Sequence, residues 1–278
     1  MPELPEVETI RKTLKELVVG ETIQQATVTW PKIIKHPDDV QRFTELIKGE
    51  YINDIRRKGK FLLFELTNYT LVSHLRMEGK YGVFKPHEET NKHVHVVFDF
   101  ESGKQLRYQD VRKFGTMHLF PKEEAEDQKP LSQLGPDPFE ETYAMENIIP
   151  VIQKSGRVIK NILLDQQVIA GLGNIYVDET LYRAKIHPLR KGNSLTDLEL
   201  KSILKEAKQT LKEAMEQGGT TIRSYINSQG QIGMFQQQLF AYGQEDTPCK
   251  RCGYPISKMK VSNRGTHVCE VCQRFPNS

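Results

Sequence analysis

All four cysteines of this 278-residue chain fall near its end, as Cys249-x2-Cys252, sixteen intervening residues, and Cys269-x2-Cys272. Two such pairs at this distance suit one tetrahedral Zn²⁺ held by four thiolates in a small β-hairpin ribbon. Paired disulfides are the other use of four cysteines, and the cytoplasmic setting expected below argues against them. Four protein ligands leave no open position, so the metal is expected to be structural, with His267 outside the set. At the other end the chain begins Met1-Pro2-Glu3-Leu4-Pro5-Glu6. Removal of Met1 would expose a secondary amine. An α-amino group of pKa ~7.7–8.0 is neutral in roughly a tenth of molecules at pH 7, against a few in ten thousand for a lysine near ~10.4. A neutral amine can attack carbon and form a Schiff base, and Glu3 and Glu6 could supply the proton transfers. The same residues also suit a helix start, where proline and acids belong in the first turn. On these residues alone both uses stand.

The elements that must position these ends are readable in outline. A chain of this length buries a substantial core and is expected to divide into domains. Hydrophobic content of 37% and charged content of 27% describe an ordinary folded protein. No apolar run approaches membrane-spanning length and the N-terminus lacks a signal-peptide pattern, so a cytoplasmic protein is expected. The net charge of +3 is concentrated: from Leu239 onward there are six Lys/Arg and three Asp/Glu, and the preceding residues carry 33 of each. A basic tail is compatible with phosphate contacts.

Apolar spacing predicts a helix over 5–19, closed by Gly20, a strand over Thr22–Trp30 and a helix from His36 to Gly49. Short strands follow at Phe61–Leu66, Leu71–Met77, His93–Phe100, Gln105–Val111 and Thr116–Phe120, together resembling a β-sandwich. The proline-rich, charged stretch 121–140 marks a domain boundary. Helices are then expected at Met145–Lys154, Val158–Gln166, Ile175–Ala184 and Thr196–Gln217, the last with a Thr196/Glu199 capping box. The polar, glycine-rich stretch 218–238 reads as a loop with a function of its own.

Five stretches taken together resemble one family. Pro2-Glu-Leu-Pro-Glu-Val-Glu-Thr9, Ser73-His-Leu-Arg-Met-Glu-Gly79, Asp110-Val-Arg-Lys-Phe-Gly115, Gly171-Leu-Gly-Asn-Ile-Tyr-Val-Asp-Glu179 and the four-cysteine tail are similar to bacterial formamidopyrimidine-DNA glycosylases, in the family's own order. The resemblance implies an α+β multidomain fold: a catalytic β-sandwich over 1–135, a helix–two-turns–helix domain over 136–238 with a mobile loop at 218–238, and a zinc finger over 239–278. It implies excision of oxidised purines, 8-oxoguanine and formamidopyrimidines, from duplex DNA, followed by β,δ-elimination at the abasic site, by a monomer carrying one structural Zn²⁺.

The resemblance also distributes roles. Pro2 would be the nucleophile, Glu3 the general acid and Glu6 its support. Lys58 would serve β-elimination and phosphate binding; Arg264, on the finger, would hold phosphate and assist δ-elimination. Met77, Arg112 and Phe114 would fill the gap left by an extruded nucleotide, Arg112 facing the orphaned base. His74, His93, Lys160, Asn174 and Arg223 would make further DNA contacts. Two rival readings remain: an endonuclease VIII-like enzyme for oxidised pyrimidines, whose members usually begin Pro-Glu-Gly-Pro where this chain has Leu4, and a non-catalytic zinc-ribbon DNA-binding protein.

Overall fold

The computed structural model describes residues 1–220 and 238–275. These fall into two compact units. One comprises Met1–Ser132 with residues 218–220, the other Gln133–Gln217 with the described residues from 238 on.

The first unit begins with helix α1 (Leu4–Val18), whose stripe of Val7, Ile10, Leu14 and Val18 is buried. Strands β1 (Ile23–Val28) and β2 (Ile34–His36) precede a short helix α2 (Val40–Ile47). Strands β3 (Asp54–Lys58), β4 (Phe61–Glu65), β5 (Tyr69–His74), β6 (Lys80–Phe84), β7 (Val94–Phe100), β8 (Gln105–Gln109) and β9 (Thr116–Pro121) complete two sheets. One has the order β1-β7-β8-β6 and the other β2-β9-β5-β4-β3. Phe64 and Leu71 from the larger sheet face Phe98, Phe100 and Leu106 from the smaller across one apolar gap, as in a β-sandwich.

The helix expected from His36 is shorter. His36 ends β2, and α2 starts only after Asp39, whose carboxylate accepts the Arg42 amide at 2.7 Å. Strands β3 and β6 are additions to the sequence-based expectation. Both lie on sheet edges, where one is charged (Asp-Ile-Arg-Arg-Lys) and the other is broken by Gly82, so neither alternates as an inner strand does.

The second unit carries α3 (Met145–Gln153), α4 (Ile159–Leu164), α5 (Asn174–Ala184) and α6 (Asp197–Glu216). The Thr196/Glu199 capping box opens α6, whose Leu200, Ile203, Leu204, Ala207 and Leu211 are buried. The hairpin of β10 (Ser257–Val261) and β11 (Arg264–Val268) clusters with these helices in one compact unit. The reason is chemical: Tyr182 of α5 packs in one cluster with Ala241, Cys249, Ile256 and Cys269. Among the described residues no helix is long and apolar enough to cross a membrane.

Candidate active site and nucleic-acid interface

In the first unit the N-terminal residues are held by their own helix. Leu4 is fully buried, and Glu3, at the N-cap position of α1, is only 3% exposed. Glu6 reaches back so that its carboxylate accepts the Glu3 amide at 2.9 Å, one half of a capping box. Its other oxygen accepts the Thr220 amide at 2.8 Å and the Thr220 hydroxyl at 3.1 Å. Gly219 makes that approach possible: its φ is +81°, and a Cβ there would stand 2.7 Å from the Glu6 carboxylate. The helix start and the candidate chemical site therefore coincide, since the capping bonds that begin α1 also fix the two carboxylates beside Pro2.

The Arg57-Lys-Gly-Lys60 loop divides its lysines. Lys58, on edge strand β3, is paired at 2.5 Å with Glu126, which also accepts from Arg56 at 3.3 Å. Lys60, in the turn to β4, is buried, and its charge acts on His74. Burial chiefly, then Arg76 and Lys60, lowers the His74 pKa to about 3, so its imidazole is neutral at physiological pH. The His74 Nδ1 accepts the Arg76 amide at 2.9 Å, which leaves the ring proton on Nε2 as a donor. Spacing alone does not single out Lys60, because two lysines flank one glycine; its signal is the unbroken apolar strand Phe61–Phe64 that follows it directly.

Asp110 builds the loop carrying Arg112 and Phe114. Its buried carboxylate accepts the amides of Arg112 at 2.9 Å, Phe114 at 2.8 Å and Gly115 at 2.8 Å. Gly115 has no alternative, since a Cβ there would lie 1.7 Å from the Tyr108 hydroxyl. With its backbone satisfied from below, the loop turns its side chains outward. Phe114 is 52% exposed and Met77 38%, so neither belongs to the strand core. The Arg112 guanidinium lies 4.8 Å from the centre of the Phe114 ring. Met1, Arg76, Met77, Lys113 and Phe114 line one open cavity of about 620 Å³. The N-terminus and two of the three void-filling candidates thus share a single hollow. His93 stands apart from these, half-buried just before β7, with its amide donating to Asn91 at 2.9 Å.

In the second unit the four cysteine sulfurs all lie within 4.8 Å of one another. The pairs Cys249–Cys272 and Cys252–Cys269 are 3.9 and 3.5 Å apart. A tetrahedron with Zn–S bonds of about 2.3 Å requires sulfurs about 3.8 Å apart, so the donor set fits one Zn²⁺. Arg264 opens β11 beyond a two-residue turn, Ser262-Asn263, in which both residues have positive φ as a tight hairpin demands. Arg264 itself is exposed. Asn174, the first residue of α5, donates its amide to the Gly265 carbonyl at 2.9 Å. Lys160, expected from the resemblance to contact DNA, lies on α4. It is wholly buried, with its amine 2.6 Å from Asp178. The short helix α4 faces inward at this position, and the amine has found a carboxylate there rather than solvent. Arg223 and most of the 218–238 loop lie outside the described residues.

Two acids of α5 join the candidate residues only through the structure. Asp178 accepts Lys160 and the His267 amide, and Glu179 accepts the amides of Phe240, Ala241 and Tyr242 at 2.8–3.1 Å. Desolvation raises the Glu179 pKa, and those three amides oppose the shift. The available signal is adjacency: two acids inside Ile175-Tyr-Val-Asp-Glu-Thr-Leu, a helix otherwise fit for burial on all sides.

Three family models match the chain: the formamidopyrimidine-DNA glycosylase N-terminal domain over residues 1–117, the formamidopyrimidine-DNA glycosylase H2TH domain over 134–226, and a zinc finger found in FPG and IleRS over 247–274. Formamidopyrimidine-DNA glycosylase of Oceanobacillus iheyensis is 55% identical over 273 residues, covering 98% of both chains. That of Bacillus subtilis is 55% identical over 273 residues, covering 98% of this chain and 99% of the other. Among solved structures, Lactococcus lactis Fpg in complex with abasic-site DNA superposes with a TM-score of 0.92 at 39% identity, covering 99% of this chain and all of that one. The wild-type form of the same enzyme bound to N7-benzyl-Fapy-dG DNA gives 0.92 at 39% identity, with coverage of 99% and 100%. Three consecutive domain matches and full-length relatives at more than half identity leave one conclusion: the chain belongs to the formamidopyrimidine-DNA glycosylase family.

Proposed function

We propose that the protein is a base-excision repair glycosylase with abasic-site lyase activity, removing 8-oxoguanine and formamidopyrimidines from duplex DNA in the bacterial cytoplasm. The observation that carries the reading is the buttressed Pro2-Glu3 start, whose Met1 shares a cavity with the exposed Met77 and Phe114. While Met1 remains, the Pro2 nitrogen is a tertiary amide without a usable lone pair. Its removal is therefore a condition of activity.

The chemistry follows from the groups in place. A base stacked in a duplex hides its C1′, so the nucleotide must swing out, at a cost of a few kcal/mol. Met77 and Phe114, apolar and projecting, are suited to fill the vacated stack, with Arg112 as donor to the widowed base. The Pro2 lone pair then forms a bond to C1′ as the glycosidic bond breaks; the base leaves with that bond's electron pair and takes up a proton, while the Pro2 nitrogen gives up its own. Glu3 protonates the opening sugar ring, and an iminium results. Loss of a C2′ proton expels the 3′ phosphate, and a second elimination expels the 5′ phosphate. Of the two loop lysines, Lys60, whose charge acts on His74, is the better placed for elimination, Lys58 being engaged by Glu126. His74, neutral with its proton on Nε2, suits a phosphate oxygen, as do Asn174 and Arg264 on the other unit. The Zn²⁺ supplies no step; it keeps the hairpin folded.

Borohydride trapping on an 8-oxoguanine duplex tests this. Wild-type protein whose mass shows loss of Met1 should form a covalent adduct. Pro2→Gly should reduce it at least 100-fold, and an adduct undiminished in that variant would remove Pro2 from the nucleophile's role.

A further inference from the structure

We propose that the buried Lys160–Asp178 pair is a positioning element that sets the path of β11 and thereby aims Arg264 at the DNA backbone. This rests on the phosphate role proposed above for Arg264.

A two-stranded hairpin is marginal alone because each strand leaves a free edge of unpaired backbone groups. Among the described residues, strand β11 pairs with β10 along one edge and with no other strand. Side chains from α4 and α5 take up the other. The Gly265 carbonyl accepts from Lys160 at 3.2 Å and from Asn174 at 2.9 Å. Two residues on, the His267 amide donates to Asp178 at 2.9 Å. Asp178 closes the circuit, since its second oxygen lies 2.6 Å from the Lys160 amine. After two more residues comes Cys269, a zinc ligand. The strand is thus bonded to α4 and α5 at 265 and to α5 at 267, and the zinc ligand Cys269 follows directly after its end. The backbone of Arg264 starts one residue before the first of these anchors.

Stability is a poor explanation for the pair. Both side chains are 0% exposed, and a buried ion pair roughly breaks even against apolar residues of the same volume because each charge must shed its water. What two apolar residues cannot do is hold a carbonyl at 265 and an amide at 267. Direct DNA contact by Lys160 is equally unsuited, as its amine has no solvent face.

The test is the double variant Lys160→Met/Asp178→Leu, which removes both charges together and leaves neither unpaired. The readouts are zinc content, Schiff-base trapping, and the ratio of β to β,δ products on an abasic duplex, with Arg264→Ala as control. The expected result is one zinc per chain, with δ-elimination reduced about tenfold more than trapping, as in the control. A wild-type product ratio beside an impaired control overturns the positioning role, as does loss of zinc and of all activities in parallel. An unimpaired Arg264→Ala control would instead overturn the Arg264 reading. Should the double variant not fold, Asp178→Asn with amide exchange decides: protection at His267 should fall at least tenfold with one zinc retained, and unchanged protection refutes the proposal.

Discussion

The sandwich and the finger hold an exposed side chain in place by opposite means. In the sandwich, Arg112 and Phe114 stand on a loop whose base is one buried carboxylate, Asp110, set against an extensive apolar interior that includes Phe64, Phe98, Phe100 and Tyr108. In the finger, Arg264 stands on a hairpin whose apolar cluster is small: Tyr182, Ala241, Ile256 and two of the cysteines. Rigidity there comes from four thiolates and from the acids of α5, Asp178 and Glu179, bonded to backbone amides. Small segments lack the buried area to offset the entropy of ordering the chain, so they depend on directional bonds. One region should accordingly be sensitive to volume and the other to ligands.

Removing the metal should have the largest effect. Binding free energy for a structural zinc is on the order of 10–16 kcal/mol in small fingers, and it is also their folding free energy. Chelation, or Cys249→Ser, should unfold the hairpin and lower affinity for abasic duplex at least 100-fold. The near-ultraviolet signal of the sandwich, which holds the single tryptophan at Trp30, should persist. Unchanged affinity in metal-free protein would mean that the hairpin does not grip DNA. The reciprocal change is Phe98→Ala. Phe98 is 2% exposed, and a cavity of that size costs about 3–5 kcal/mol. Urea unfolding should show this loss with zinc content unchanged. A variant that loses zinc as readily as it loses stability would erase the distinction between the two regions.

The same contrast explains what was legible in the sequence. Cysteine spacing, the capping box at Thr196 and the α1 stripe are local rules with a fixed period, and the elements form where those rules predict. Edge strands β3 and β6 follow no such period, so no pattern announces them. Site residues divide in the same way. Asp110, Gly115 and Phe114 lie within one motif and act within one loop. Lys160 cannot be read from its neighbours because its partner is eighteen residues away on another helix. A lysine read by its type alone looks solvent-exposed, even among the apolar residues of α4, until a carboxylate is found opposite it. Lys58 and Lys60 show the limit of spacing most sharply: one glycine apart, the first pairs with a half-exposed glutamate while the second is buried and its charge acts on His74.

Acidification separates the regions again, with a smaller effect. In the finger it acts by protonating thiolates and releasing zinc. In the sandwich it acts through His74, whose pKa falls from 6.5 to about 3 on folding, chiefly through burial. Below pH 6.5 the unfolded chain takes up a proton that the folded chain refuses, so His74 costs stability as pH falls, until both states are protonated near pH 3. Between pH 7 and pH 5 this amounts to about 2 kcal/mol. His118, lowered to about 4 mainly by burial, acts in the same direction. His74→Gln should therefore flatten the pH dependence of sandwich unfolding by about 2 kcal/mol over that interval, measured by urea titration of zinc-loaded protein. A slope identical to wild type would mean that the imidazole is already charged at pH 5 in the folded state. In that case His74 would meet DNA phosphate as a cation, and its neutral Nε2–H donor role would have to be abandoned.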